Sequence, residues 1–542
     1  MVTCGVAVTE LLARHGVRQV FGIPGNHTLE LYRGLDSSSV SHLTTRHEQG
    51  AAFAADGYAR ASGEPGVCYL ISGPGLLNAA TAIAQARADS VPLLIVTAVA
   101  ERGDQGQQLG RLHELPDQQA AARGFCSESL TLQRAEDLPA LIDYAFYQFR
   151  TRRPGPIHIE IPLDLMQAEV DLTYLPAPRA NPSSQRLEPA RAALAAAAER
   201  LRNAQTPLIV LGGGALSVPT QALQRLIERL DAPVINTVNG KGLLPPQHPL
   251  AVGSSPSMPC IAQALAAADC VLAIGTEFAE TDYDLLMAAP PPVLEHLIRI
   301  DIDPVALTRN QTPAIPVCAP AADAVVELLT LLDDPQTPRG GAERAARLRS
   351  ACQAEPHFHW EFARLFELIE AAAGTHVIVG DSTRPTYYAT WQLNRPRPRQ
   401  YFHSVSGFGT LGYAIPAAIG AARATGAPVL AIIGDGGAQF SLAELATAKD
   451  AAAPVTTLIW LNRGYEEIEN SLAGRGVSNR STTISSPDFA QLGAAYGLTV
   501  FAPATWEALE QDLATALAEG VPNLLLLRQE DFITEPSGQW YG

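Results

Sequence analysis

The sequence predicts an α/β protein with three parallel-sheet domains, and three observations lead to this prediction. Apolar strand-like runs alternate with Ala-rich helical stretches along almost the whole chain, which is the pattern of layered α/β folds. The chain has 542 residues, a length that exceeds what one hydrophobic core supports. Its first and last parts also resemble each other, which indicates that two of the domains are copies of one fold.

The amino-acid composition and the net charge limit the kinds of partner that we expect for this chain. With 47% hydrophobic residues and a net charge of -17, the chain is globular and acidic, so we expect neither a nucleic-acid nor a membrane partner. The seven cysteines include no C-x-x-C pair, so we expect reduced thiols and a cytoplasmic location. The start MVTCGVAVTELLARHGV lacks the pattern of a signal peptide. The most hydrophobic run, VPLLIVTAVA, has the length of a buried strand and not of a membrane span.

Two irregular stretches divide the chain. LPAPRANPSSQR (175–186) is rich in Pro and Ser and predicts a linker, while DDPQTPRGGAERAARLRSACQAEP (333–356) combines linker and helix signals. We therefore assign domains to residues 1–175, 186–335 and 355–542. The middle segment contains the strand-like runs PLIVLGGGAL, VLAIGTEF and IRIDIDP, which indicate a parallel sheet of its own.

An internal repeat relates the outer domains. AADGYARASGEPGVCYLISGPG (54–75) matches AAIGAARATGAPVLAIIGDGG (417–437), with Gly57, Arg60, Gly63 and Pro65 each offset by 363 residues from their counterparts. After one deletion the segment Ser72-Gly73-Pro74-Gly75 aligns with residues 434–437. Ligands bind at the carboxyl ends of strands in open α/β sheets, so both aligned strand ends are candidate binding sites.

Oxygen donors follow two neighbouring strands of the last domain. Gly434-Asp435-Gly436-Gly437 ends one apolar strand, and Asn462 ends the next, 27 residues after Asp435. Such glycines let backbone amides approach a pyrophosphate, which would repel the Asp435 carboxylate. A divalent cation removes this conflict, because Mg²⁺ and Ca²⁺ bind phosphate, carboxylate and carbonyl oxygens together. Asn462 would add an amide oxygen, and the turn at Arg463-Gly464 a backbone carbonyl.

A simpler interpretation remains open for each part of this pattern. Gly434-Asp435-Gly436 could be only a tight turn, and Asn462 could be only a cap for the helix that begins in EEIENSL. The segment is not a Rossmann fingerprint, because Gln439 stands where the last glycine of G-x-G-x-x-G would fall. The chain also has no G-x-x-x-x-G-K-[ST] loop.

Gly434-Asp435-Gly436 followed by Asn462 resembles the thiamine-diphosphate motif of the 2-oxo acid decarboxylase and acetolactate synthase superfamily. The resemblance covers the whole chain. It implies a pyrimidine-binding domain, a middle domain and a diphosphate-binding domain, of which the first and third are related thiamine-diphosphate-binding folds. It also implies Mg²⁺ held by Asp435, Asn462 and the Gly464 carbonyl, with Gly434, Gly436 and Gly437 at the diphosphate.

The segment TTRHEQGAAFAADGYAR places Glu48 at the position of the family's catalytic carboxylate. The resemblance implies that Glu48 bonds the pyrimidine ring and thereby activates the cofactor carbon that attacks a 2-oxo acid. The simpler alternative is a Glu in a first helical turn, where it complements the helix dipole. In the family this Glu and the metal ligands of one site come from different subunits, which implies a homodimer or homotetramer with sites between subunits.

Further positions are assigned by the same resemblance. In the repeat, Leu411 aligns with Glu48 and would be the apolar wedge under the bent cofactor, while Gly409 would offer a carbonyl to its amino group. Thr383 in GDSTRP and Gly25 in IPGNH are assigned to cofactor binding. Leu411 could equally be a core leucine, and Thr383 a strand-end cap.

The fate of the substrate separates two functional hypotheses. His27 and His113 could supply the proton that yields an aldehyde, which favours non-oxidative decarboxylation of a 2-oxo acid to an aldehyde and CO₂. The segments FGIPGNHTLELYRGL and LHELPDQ look closest to decarboxylases of 5-guanidino-2-oxopentanoate, whose guanidinium could meet Glu466, Glu467 or Asp104. For these three charges a solvated surface is the simpler interpretation.

The alternative is an acetolactate-synthase-type carboligase, which joins two 2-oxo acids and could keep FAD in the middle domain. The segment HPLAVGSSPSMP lacks the Met-Gly-Met-His stretch of such synthases and speaks against it. The chain also departs from the pyruvate-type decarboxylases, because Ile468 stands where they carry a Glu. We therefore expect thiamine diphosphate and Mg²⁺ as cofactors, and FAD only with the carboligase alternative.

Overall fold

The computed structural model describes residues 1–173, 190–253, 256–280, 293–333, 338–355, 361–478 and 481–533. The predicted linker at 175–186 lies outside the described residues. None of the helices in these ranges is long and apolar enough to cross a membrane.

The first domain is a parallel six-stranded sheet with helices on both faces. Its strands follow the order β3-β2-β4-β5-β7-β6, and a short antiparallel pair joins β1 to β8. The strands are β1 (Val2–Thr3), β2 (Gln19–Gly22), β3 (Ser41–Thr44), β4 (Gly66–Leu70), β5 (Leu93–Val99), β6 (Glu128–Thr131), β7 (Pro156–Pro162) and β8 (Glu169–Val170). The helices are α1 (Cys4–Arg14), α2 (Leu29–Asp36), α3 (Glu48–Ser62), α4 (Pro74–Ala88), α5 (Gln118–Arg123), α6 (Leu138–Thr151) and α7 (Leu163–Met166).

The middle domain is a parallel five-stranded sheet in the order β10-β9-β11-β12-β13. Its strands are β9 (Leu208–Leu211), β10 (Val234–Asn236), β11 (Val271–Ile274), β12 (Leu297–Asp301) and β13 (Ile315–Cys318). Its helices are α8 (Arg191–Asn203), α9 (Thr220–Leu230), α10 (Pro259–Ala267) and α11 (Ala321–Leu331), and α12 (Gly341–Gln353) follows within the second predicted linker.

The last domain repeats the first. Its six parallel strands follow the order β15-β14-β16-β17-β19-β18, which is the order of the first sheet with each strand replaced by its counterpart. The strands are β14 (Val377–Gly380), β15 (Tyr401–His403), β16 (Val429–Gly434), β17 (Val455–Leu461), β18 (Thr499–Phe501) and β19 (Asn523–Arg528). The helices are α13 (Ala363–Ala373), α14 (Arg384–Gln392), α15 (Ala414–Thr425), α16 (Asp435–Ala438), α17 (Glu444–Asp450), α18 (Glu466–Gly474), α19 (Phe489–Ala495), α20 (Trp506–Ala518) and α21 (Gln529–Phe532).

The two related domains pack on each other through equivalent glycines. A Cβ on Gly57 of α3 would lie 2.0 Å from the Ala417 carbonyl oxygen, and one on Gly420 of α15 would lie 1.8 Å from that of Ala54. Gly57 and Gly420 are the aligned glycines of the repeat. Because neither has a side chain, the backbones of α3 and α15 can approach each other closely at both positions. The prediction of three parallel α/β domains, with the outer two related, is therefore confirmed.

Candidate active site

Glu48 lies beside the strand ends of the first sheet. It is the first residue of α3 and is partly exposed in the single chain, and its Oε2 accepts a hydrogen bond from Asn78 Nδ2 at 2.9 Å. A Cβ on Gly75, at the start of α4, would lie 3.6 Å from Glu48 Oε1 and 2.8 Å from Ile71. A Cβ on Gly25, after β2, would lie 2.4 Å from the same Ile71 side chain. Gly25, Gly75 and Glu48 thus surround one strand end.

The two predicted histidines meet at this strand end. The ring centroids of His27 and His113 lie 5.1 Å apart with an angle of 67° between the ring planes, and His27 Nδ1 is 2.7 Å from the Ser72 hydroxyl. His113 has a φ of 62°, and a Cβ on Gly73 would lie 2.4 Å from its carbonyl oxygen. Burial lowers the pKa of His27, and the nearby His113 lowers it further. The ring of His27 is therefore neutral at pH 7.

The matching strand end of the last sheet holds the predicted diphosphate residues. Asp435 is 1% exposed, and its Oδ2 accepts hydrogen bonds from the Arg463 backbone N–H at 3.0 Å and the Ser486 hydroxyl at 2.6 Å. Within the described ranges Asp435 has no Lys, Arg or His partner within 4.0 Å. A Cβ on Gly434 would lie 2.8 Å from Thr383 Oγ1, so Thr383 stands directly against the glycine turn.

The second predicted metal ligand is joined to the first. Asn462 directly follows β17, and its Nδ2 donates to Glu466 Oε2 at 2.9 Å. The next residue, Arg463, bonds Asp435 through its backbone, so the two strand ends are linked directly. Gly464 has a φ of 140°, and a Cβ there would lie 2.5 Å from the Thr482 carbonyl oxygen, so the turn requires glycine.

The chemistry of these residues fits a magnesium ion, which Asp435, Asn462 and the Gly464 carbonyl would hold. A buried carboxylate without a cationic partner is costly, and a bound cation would provide that partner for Asp435. The described part of the chain contains no group of three or more His, Cys, Asp or Glu residues that could hold a metal. The predicted metal ligands are one carboxylate, one amide oxygen and one backbone carbonyl. Of these three, only the carboxylate belongs to a His, Cys, Asp or Glu residue.

Leu411 and Gly409 lie in the turn before α15. Gly409 is exposed with a φ of 70°, and Leu411 is half-buried. The backbone N–H groups of Gly412 and Ala414 donate to the Asp381 carboxylate at 3.2 and 2.9 Å. Burial raises the pKa of Asp381 to about 6, although these amide donors oppose the rise. Asp381 thus holds the turn that carries Leu411.

The sequence did not lead us to assign Asp381 or Ser486 to the candidate site. Asp381 follows a strand end in the quoted segment GDSTRP, and that position is the signal that could have identified it. Ser486 lies 51 residues after Asp435, in a segment with no distinguishing pattern. Its role emerges only from the folded chain.

The three acidic residues proposed for a guanidinium already have arginine partners. Glu466 and Glu467 contact the buried Arg384, with Glu466 Oε1 at 2.9 Å from Arg384 Nη1, and Asp104 pairs with Arg111 at 2.8 Å. Burial raises the pKa of Glu467 to about 7, and the positive charge of Arg384 limits this rise. The solvated surface that we considered for these charges is therefore wrong for Glu466 and Glu467.

Two cavities are relevant to the function of the chain. One of about 250 Å³ opens at Ser72 and His113 and extends to Glu114 and Glu160. A larger one, of about 580 Å³, lies where the three domains meet and is lined by residues such as Arg60, Gly214 and Asp301.

Comparison with known proteins gives a consistent result for every domain. Residues 2–121 match the thiamine pyrophosphate enzyme N-terminal TPP binding domain, residues 194–328 its central domain, and residues 380–526 its C-terminal TPP binding domain. Thiamine pyrophosphate is thiamine diphosphate under another name.

Full-length relatives agree with these matches. The chain is 42% identical to the "Probable 2-ketoarginine decarboxylase AruI" of Pseudomonas aeruginosa, over 97% of this chain and 94% of the relative. It is 31% identical to a "Probable acetolactate synthase large subunit" of Methanocaldococcus jannaschii, over 98% and 92%. It is 29% identical to the acetolactate synthase isozyme 3 large subunit of Escherichia coli, over 96% and 93%. The chain therefore belongs to the family of thiamine pyrophosphate enzymes.

Proposed function

We propose that this chain is a thiamine-diphosphate- and Mg²⁺-dependent enzyme that decarboxylates a 2-oxo acid non-oxidatively to an aldehyde and CO₂. One observation carries the proposal: two sheets with the same strand order carry Glu48 at the carboxyl ends of the strands in the first domain, and Asp435 with Asn462 at those of the last domain. The 42% identical relative, whose name is that of a decarboxylase, supports the same reaction class.

Glu48 would exchange a proton with the pyrimidine ring. When bound, thiamine diphosphate supplies a carbon nucleophile and an electron sink for the electrons released with CO₂. Asn78 holds one oxygen of Glu48 by a hydrogen bond, while the other lies beside Gly75. A carboxylate held in this way can take up and return a proton without changing its position.

His27 and His113 would deliver the proton that completes the aldehyde. Their rings are in contact at the strand end next to Glu48, and His27 is held by Ser72. A neutral imidazole has both a donor and an acceptor nitrogen, so His27 can pass a proton between substrate and cavity.

The remaining predicted residues would hold the cofactor and its metal. Asp435, Asn462 and the Gly464 carbonyl would ligate Mg²⁺, which prefers oxygen ligands. Cofactor-binding roles are proposed for Gly25, Thr383, Gly409, Leu411, Gly434, Asp435, Gly436, Gly437 and Asn462.

Glu466 should support metal binding through Asn462. Its carboxylate accepts from Asn462 Nδ2, which orients the amide so that its oxygen can serve as a ligand. Groups that orient a metal ligand typically contribute about 10- to 100-fold in metal affinity. We therefore expect Glu466→Ala to weaken Mg²⁺ binding by about that factor in a Mg²⁺ titration at saturating thiamine diphosphate.

Glu469→Ala provides the matched control, because Glu469 lies on the exposed side of the same helix. It should leave the Mg²⁺ titration unchanged. Equal Mg²⁺ affinity in Glu466→Ala and the wild type would show that Glu466 does not orient Asn462.

We propose 5-guanidino-2-oxopentanoate as the substrate. Among the residues that the structure describes, the cavity at His113 is lined by Glu114, Asp117 and Glu160 and by no Lys or Arg. Glu160 is 3% exposed and, within the described ranges, has no cationic partner within 4.0 Å. Its hydrogen bonds come from Thr131 and Gln118. A buried carboxylate without a cationic partner is stabilised by a positive charge nearby. The guanidinium of this substrate would supply that charge.

The second candidate function is an acetolactate-synthase-type carboligase. Relatives at 31% and 29% identity carry that name, and the cavity of about 580 Å³ between the domains is large enough for part of a dinucleotide. A carboligase of this kind would be expected to keep FAD there.

Product analysis on three substrates tests the proposal. The purified protein, supplied with thiamine diphosphate and Mg²⁺, is given 5-guanidino-2-oxopentanoate, 2-oxohexanoate and pyruvate. We expect aldehyde and CO₂ from the first, with a kcat/KM that exceeds that for 2-oxohexanoate, whose side chain is uncharged, by about 100-fold or more. An acetohydroxy acid from pyruvate and a yellow, flavin-containing preparation would favour the carboligase. No CO₂ from any of the three would contradict both functions.

Assembly and location complete the proposal. We propose a homodimer or homotetramer in the cytoplasm, with each active site formed between subunits. The repeat supports this assembly, because the proposed catalytic Glu48 and the proposed metal ligands lie in two different, related domains.

A further inference from the structure

A buried glutamate that the proposed reaction does not use contacts the segment just before Glu48. Glu444 begins α17, nine residues after Asp435, and is 1% exposed. Its Oε1 accepts hydrogen bonds from the backbone N–H groups of Arg46 at 3.1 Å and His47 at 3.0 Å. Its Oε2 accepts from Thr447 Oγ1 at 2.6 Å. The carboxylate thus bonds the two residues that precede Glu48.

This contact anchors the start of α3 from another domain. The N–H groups at a helix start lack partners within the helix and need capping. His47, the N-cap residue, uses its ring to accept from Gln49, and Glu444 bonds the N–H of His47 itself. A Cβ on Gly50 would lie 2.2 Å from Glu444 Oε1, so the absent side chain at Gly50 is what lets the carboxylate reach the turn.

The related turn of the last domain is held in the same way. Gln85 of α4 accepts from the Thr410 backbone N–H at 3.3 Å and the Thr410 hydroxyl at 3.0 Å, and donates to the Ser406 carbonyl at 3.0 Å. Thr410 precedes Leu411, which is the counterpart of Glu48 in the repeat. Each related domain therefore supplies a side chain that fixes the turn before the key residue of the other.

We propose that Glu444 is a positioning residue that sets the place and direction of Glu48 through the backbone of Arg46 and His47. The proposal rests on the proposed role of Glu48. Proton transfer depends steeply on distance and alignment, and a misplacement of about 1 Å can cost about 100-fold. Loss of the two hydrogen bonds would let the first turn of α3 shift, while the diphosphate residues would stay in place.

Two substitutions remove this anchor by different means. Glu444→Ala deletes the acceptor, and Gly50→Ala adds a methyl group that displaces the carboxylate without changing its charge. Alanine is a better helix former than glycine, so Gly50→Ala does not weaken α3 itself. Glu444→Gln keeps one amide oxygen that can accept from Arg46 and His47 and should restore function. Asp450→Asn is the matched control, because Asp450 pairs with the Arg46 side chain at the surface.

Three measurements test the proposal on the full chain. Amide hydrogen exchange of the cofactor-free protein reports the protection of residues 44–50. Hydrogen–deuterium exchange at C2 of bound thiamine diphosphate reports the action of Glu48 without substrate, and calorimetry gives the cofactor affinity. For Glu444→Ala and Gly50→Ala we expect faster amide exchange at residues 46 and 47, C2 exchange slowed by about tenfold or more, and cofactor affinity within about threefold of the wild type. Glu444→Gln and Asp450→Asn should match the wild type in all three.

Glu48→Gln in the same assays separates the outcomes. Slow C2 exchange in Glu48→Gln together with wild-type exchange in Glu444→Ala and Gly50→Ala would overturn the role of Glu444 alone. Wild-type C2 exchange in Glu48→Gln would overturn the proposed role of Glu48, and the positioning role with it. If C2 exchange in Glu444→Gln is as slow as in Glu444→Ala, the charge of Glu444 matters and not its hydrogen bonds. This result would also overturn the proposal.

Discussion

Replacing Glu48 by glutamine is expected to abolish turnover while thiamine diphosphate remains bound. Glutamine has the shape of glutamate, and its amide oxygen can still accept from Asn78 Nδ2. It cannot take up and return a proton as a carboxylate does, and a positioned general acid–base contributes about 100- to 10 000-fold to a rate. We therefore expect kcat to fall by at least about 100-fold.

The loss should appear in CO₂ release from 5-guanidino-2-oxopentanoate, with the cofactor affinity measured in parallel by calorimetry. Glu10→Gln is the matched control, because Glu10 lies on the exposed side of α1, and it should turn over at the wild-type rate. Unchanged turnover in Glu48→Gln would refute the role assigned to this carboxylate. Loss of both turnover and cofactor would mean that Glu48 holds the cofactor instead of activating it.

Replacing Asp435 by alanine is expected to remove the cofactor itself. The proposed metal would lose its only carboxylate ligand, and the diphosphate would lose the cation that joins it to the protein. The Arg463 backbone N–H and the Ser486 hydroxyl would also lose their common acceptor, which loosens the turn that follows Asn462. Because loss of an orienting group alone costs about 10- to 100-fold, we expect loss of the ligand to cost at least about 100-fold in affinity.

Calorimetric titration of thiamine diphosphate at constant Mg²⁺ measures this effect. Asp435→Asn separates charge from shape, since the amide can still accept from Arg463, and it too should bind weakly. Asp333→Asn, at a side chain that is 91% exposed in the middle domain, is the control with the same change of charge. Wild-type affinity in Asp435→Ala would contradict the proposed metal bridge.

Mixing the two inactive variants tests the shared site between subunits. If Glu48 of one chain acts with Asp435 of the other, a dimer of one Glu48→Gln and one Asp435→Ala chain contains one intact site. Random reassociation would then restore about a quarter of the wild-type activity. No recovery from demonstrated mixed dimers would show that each site is built within one chain.

Much of the architecture could be predicted from local patterns. Alternating apolar runs and helical stretches indicate parallel sheets, and a residue placed just after a strand must lie at the carboxyl edge of its sheet. For this reason Asp435 and Asn462 could be placed at neighbouring strand ends before the fold was known. The repeat pointed in the same way to two related domains, which the identical strand orders confirm. The domain limits, at residues 1–175, 186–335 and 355–542, remain predictions.

The folded chain alone decided which distant groups support these residues. Asp381 bonds a turn 31 to 33 positions away, Ser486 bonds Asp435, and Glu444 bonds a turn about 398 positions away. Such contacts leave no periodic signal, because one pair of side chains is set by the packing of whole domains. The sequence by itself determined the fold class, the family and the strand ends where the chemistry lies, since these follow from local pattern and topology. The tertiary structure decided which side chains hold those strand ends in place, since hydrogen bonds between remote segments depend on distances that only the packed domains define.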